Sequence, residues 1–101
     1  MFTNIDVPTF KEKMEAPNTV ILDVRTETEK VEGDIPGSIL IDAMDPEFYT
    51  SIDELDKSKT YLVFCRSGSR SQQACMAMGD DGFKSLFNLE GGIKAWNAAA
   101  N

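Results

Sequence analysis

The stretch "TYLVFCRSGSRSQQA", Thr60 to Ala74, decides how the chain folds. Tyr61 to Phe64 form an unbroken apolar run of strand length, the pattern of a strand buried on both faces, as in a parallel sheet. Gly68 and its serine neighbours then interrupt the run, and helical composition begins near Ser69. Cys65 therefore falls at the carboxyl end of a strand, just before a helix N-terminus. In open α/β sheets that is where ligands bind.

Three further short runs have strand character: "TVILDV" (19–24), "SILI" (38–41) and "SLFNL" (85–89). Between the strands lie segments of helical composition: "PTFKEKME" (8–15), with Pro8 suited to a first turn, "ETEKVE" (27–32), "DPEFYTSIDEL" (45–55), "SRSQQACMAMGD" (69–80) and "GIKAWNAAA" (92–100). This alternation predicts an α/β fold with helices on both faces of the sheet. The stretches "EGDIPGS" and "GDDGF" read as turns, and no repeat or low-complexity tract is present. A length of 101 residues supplies one core and no second, so a single domain over 1–101 is expected.

A net charge of −7 argues against broad binding to nucleic acid or to an anionic membrane surface. No apolar run approaches the ~20 residues needed to cross a bilayer. The N-terminus "MFTNIDVPTF" lacks the basic, apolar and small-residue regions of a secretory signal, so a cytoplasmic location is expected, and the chain is separately expected to be a monomer. Cys65 and Cys75 are too few for a disulfide framework or a thiolate metal site, and neither metal nor cofactor is expected.

The chain contains no histidine, which excludes the Cys-His pair that usually activates a thiol nucleophile. The loop offers another route. If Gly68 lets the backbone curl, the amides from Arg66 to Ser71 converge above Cys65 and form an anion cradle reinforced by the helix dipole. A helix N-terminus and neighbouring arginines lower a thiol pKa from about 8.5 into a range of roughly 3.5–7.5. The bland alternative, a cysteine that merely ends a strand as a small buried hydrophobe, is common for free cysteines. It fits Cys75 better, because Cys75 shares a helical stripe with Ser71, Ala74 and Met78 and is expected to pack against the sheet.

Three motifs in order resemble the rhodanese (sulfurtransferase) family: "ILDVRTETEKVEGDIPGSILID" (21–42), "VFCRSGSRS" (63–71) and "LEGGIKAW" (89–96). The resemblance implies a central, mostly parallel five-stranded sheet with helices on both faces. It implies further that Cys65 takes the outer sulfur of a donor such as thiosulfate, carries it as a persulfide and passes it to cyanide, a thiol or a protein. Arg66, Ser67, Gly68, Ser69 and Arg70 would form the substrate-binding loop, with the two arginines attracting the anionic donor. Asp23, Arg25 and Glu29 match the first motif but read as a structural ion-pair group. Gly91 and Gly92 read as a tight turn, and Trp96 as packing for the last helix. Asp34 and Ser38 depart from the family pattern, which has histidine and alanine there.

Two rivals from other classes bear on the same residues. Cysteine phosphatases and arsenate reductases hold an oxyanion in a C-x5-R loop, usually with histidine before the cysteine. Here Phe64 precedes Cys65, and the spacing to Arg70 is C-x4-R, which should leave a cradle sized for a sulfur atom. A non-catalytic binding module is the second rival, since fold does not fix function; retention of Cys65 beside a basic loop counts against it.

Overall fold

The computed structural model describes residues 1–100. Five strands, β1 (Phe2–Ile5), β2 (Thr19–Asp23), β3 (Ile39–Leu40), β4 (Thr60–Phe64) and β5 (Ser85–Leu89), form one sheet in the order β1-β5-β4-β2-β3. Every pairing is parallel, so each connection must cross a face of the sheet. The crossovers carry α1 (Val7–Met14), a 3-10 helix (Glu27–Glu32), α2 (Phe48–Asp53), α3 (Ser69–Asp80) and α4 (Gly92–Ala99).

β4 lies at the centre, bonded to β2 on one side and β5 on the other. Its side chains alternate between two cores. Tyr61, Val63 and Cys65 pack with Phe48 and Ile52 of α2 and with Ala74, Cys75 and Met78 of α3. Leu62 and Phe64 pack on the opposite face with Val7 and Phe10 of α1 and Ile93 of α4. Burial on both faces is why this strand reads as a continuous apolar run. It also fixes Cys65 as the last inward residue of the layer that holds α3.

The structure departs from the sequence reading at three elements. β1 carries no apolar run, because an edge strand with Thr3 and Asn4 exposed buries little beyond Ile5. Residues 27–32 wind as a 3-10 helix started by a reciprocal Thr26–Glu29 capping box. Residues 45–55 yield only the short α2, because the Asp42 and Asp45 carboxylates accept from the amides of Met44 and Glu47 at 2.8 Å and hold the preceding segment in turns. Among the described residues no helix is long and apolar enough to cross a membrane.

Candidate active site

Glycine at the N-cap of α3 leaves the first turn without a side-chain cap. The unpaired amides of that turn need an acceptor. Cys65 Sγ supplies it from three residues upstream: it accepts from the Gly68 amide at 3.1 Å, the Ser71 amide at 3.4 Å and the Ser71 hydroxyl at 3.3 Å. Gly68 adopts φ +106, a conformation that side-chain-bearing residues rarely reach, and this bend brings its N–H to the sulfur. Burial raises the Cys65 pKa. The Ser71 hydroxyl and the amides of Ser71, Gly68 and Ser67 together outweigh that effect and leave it below the usual thiol value. Cys65 is only 1% exposed, so a reagent must present a slender atom to reach it.

The same residue is held from the other layer. The first-turn amides of α4 donate to the loop carbonyls, Ile93 N to Cys65 O at 2.9 Å and Lys94 N to Arg66 O at 3.2 Å. This requires backbone against backbone: a Cβ on Gly92 would fall 2.5 Å from the Cys65 carbonyl oxygen. The paired glycines 91 and 92 therefore do more than turn the chain. They let a second helix N-terminus approach Cys65.

The arginines of the loop are not free. Arg70 donates twice to Glu29, Nη1 and Nη2 each at 2.7 Å, and Glu29 in turn accepts from the amide and hydroxyl of Thr26. The Arg70 guanidinium, against some opposition from burial and with help from Thr26, draws the Glu29 pKa down to about 2. Arg66 donates to Glu32 through Nε at 2.8 Å. Ser67 and Ser69 are exposed on the loop and at the head of α3.

Asp23 and Arg25 form a wholly buried fork, with Nε and Nη2 of Arg25 on the two carboxylate oxygens at 2.9 and 2.8 Å. Arg25 also donates to the Glu29 carbonyl and lies over the Phe64 ring, so it braces the 3-10 helix against the end of β4. Trp96 meets Phe10 edge to face in the α1 and α4 layer. The two departures from the family pattern bond each other, Ser38 Oγ donating to Asp34 Oδ1 at 3.1 Å. Cys75 is buried without any exposure, and burial together with the nearby Cys65 pushes its thiol up to about 12. Both cysteines are unpaired, and among the described residues no group of three metal-ligating side chains gathers.

The Ser71 hydroxyl is the functional group that sequence reasoning overlooked. Its helical spacing placed it among packing residues, while only the curl at Gly68 turns it toward the sulfur. Two hollows border α3. The larger, about 630 Å³ between α2 and α3, is lined by neither cysteine. A smaller one of about 90 Å³, lined in part by Met44, Tyr49 and Gln73, reaches the loop at Arg70.

A family model of the rhodanese-like domain matches residues 6–99. YtwF of Bacillus subtilis, a protein proposed to be a sulfurtransferase, is 42% identical over 91% of this chain and 87% of its own. The thiosulfate sulfurtransferase GlpE of Pseudoalteromonas translucida is 28% identical over 97% of this chain and 91% of its own. The crystal structure of a rhodanese-related protein from Thermoplasma volcanium superposes with a TM-score of 0.83 at 30% identity, covering 96% of this chain and 92% of that one.

Proposed function

Because the chain belongs to the rhodanese-like family, we propose that it is a sulfurtransferase that carries sulfur on Cys65. The thiolate attacks the outer sulfur of a sulfane donor such as thiosulfate. The donor's S–S bond breaks with both electrons leaving on sulfite, and Cys65 becomes a persulfide. A thiophilic acceptor, whether cyanide, a small thiol or a protein thiol, then takes the outer sulfur and the electron pair returns to Cys65. Oxidation and reduction balance over the two steps without a cofactor.

The observation that carries this reading is the convergence of three hydrogen-bond donors on one sulfur that ends the central strand. Donors aimed at a developing anion lower the cost of holding thiolate and persulfide without a base. Their closeness to Sγ also supports sulfur over phosphoryl chemistry, since the C-x4-R loop wraps the sulfur itself. Arg66, Ser67, Gly68, Ser69 and Arg70 form the loop that the donor meets. The name of GlpE supports thiosulfate as a donor to test first.

Intact-mass analysis after incubation with thiosulfate should show one added sulfur atom that a reductant removes. Cys65→Ser should abolish both the adduct and thiosulfate:cyanide transfer, while Cys75→Ala should keep most of both. Equal losses in two folded variants would overturn the assignment of the nucleophile. Cys65-dependent hydrolysis of p-nitrophenyl phosphate by the unmodified protein would overturn sulfur chemistry.

A further inference from the structure

The two loop arginines are paired to unequal degrees. Arg70 is committed: it grips both oxygens of Glu29, and the two side chains are 28% and 19% exposed. Arg66 makes a single hydrogen bond to Glu32, and those side chains are 49% and 40% exposed. An exposed, singly bonded pair is weak and readily exchanged for another anion.

Its mounting sets this pair apart from a chance surface contact. One turn of α4 holds both backbones, Lys94 N on the Arg66 carbonyl at 3.2 Å and Asn97 Nδ2 on the Glu32 carbonyl at 2.7 Å. Gly33 follows Glu32 at φ +123, and a Cβ there would fall 2.8 Å from Asn97 Oδ1. The chain thus brings a carboxylate up to the guanidinium of the residue that follows Cys65, with α4 holding the backbones of both partners.

We propose that Glu32 is a specificity-determining residue: its carboxylate offsets the charge of Arg66, the residue that follows Cys65, so an anionic sulfur donor approaching the loop meets less attraction than Arg66 alone would give. Glu32 thereby weighs against charged donors relative to uncharged ones. The inference rests on the sulfur transfer proposed above, and it concerns how charge is selected at the same thiol.

The test compares alkylation of Cys65 by anionic iodoacetate and by neutral iodoacetamide in the full chain, followed by intact mass at low salt. Taking the ratio of the two rates cancels any change in thiolate content. Glu32→Gln should raise that ratio two- to fivefold, the scale of an exposed ion pair. High salt should erase the gain, because exposed charges are screened over about 10 Å at 0.1 M. Thiosulfate KM should fall by a similar factor with kcat unchanged. Glu27→Gln removes an exposed carboxylate at the other end of the same 3-10 helix that makes no such pair and should leave the ratio as it was, as should Glu32→Gln made on an Arg66→Ala background. An unchanged ratio in Glu32→Gln, an equal rise in Glu27→Gln, or persistence of the gain without Arg66 would overturn the inference. A raised ratio in Glu32→Gln with no sulfur loading from thiosulfate in any variant would uphold it and remove thiosulfate as the donor.

Discussion

The Ser71 hydroxyl carries one proton and faces two acceptors, Cys65 Sγ at 3.3 Å and the Gly68 carbonyl at 3.2 Å. It can turn to the sulfur when charge develops there and back to the carbonyl when the thiol is protonated. Hydrogen bonds to charged groups contribute about 1.5–3 kcal/mol, so Ser71→Ala should slow sulfur transfer about tenfold or more and move the onset of Cys65 alkylation to higher pH. A pH profile of iodoacetamide reactivity reads this directly; an unshifted onset would mean that the amides suffice. Cys75 should remain unalkylated at neutral pH until denaturant is added, because its thiol is held protonated and fully enclosed. The placement of Cys65 is legible in the sequence, since the apolar run and the glycine locate it at a strand end just before a helix. It does not show the second use of Ser71, because helical spacing reports which face a residue lies on and not what its hydroxyl reaches.

Between elements, the junction of β4, α3 and α4 depends on Gly92. At φ +58, with the backbone of Cys65 and Arg66 within 2.6 Å of any added Cβ, Gly92→Ala combines backbone strain with a collision against atoms that cannot rotate away. Gly37 supplies the comparison: φ is +84, but a Cβ there meets nothing within 4 Å. Gly37→Ala should cost only the left-handed strain of about 1–2 kcal/mol, and Gly92→Ala at least twice that, with activity lost disproportionately. Urea midpoints paired with single-turnover rates would reveal both. Helices α1, α3 and α4 were legible within a residue or two because caps, glycines and apolar spacing agree along them. β1 was not, for a strand at the sheet edge needs no continuous apolar run to pair with Leu86–Leu89.

Across the whole molecule, acidic surplus is spread over a surface where the loop arginines are answered by glutamates 34 and 41 residues away in sequence. Those pairings could not be read from the chain, since the loop's basic composition says nothing about what the fold lays against it. They carry a pH consequence. Glu29 is held down to about 2 from an ordinary 4.5, so its pairing stabilises the fold fully above about pH 4.5 and is lost as pH falls through about 2. Allowing for screening at a partly open site, the contribution is about 1–2 kcal/mol. Chemical denaturation at pH 6 and pH 2.5 should show Glu29→Gln weaker than the unmodified protein at the first, with most of that gap closed at the second; a constant gap would refute it. The meeting of two helix N-termini on Cys65, one from each layer, reaches further still. Hydrogen exchange should find the amides of Ser71, Ile93 and Lys94 in a single cooperative unit, opening together and only near the free energy of global unfolding. The proposed nucleophile would then sit in the last part of the protein to breathe, and its readiness would persist until the fold itself gives way.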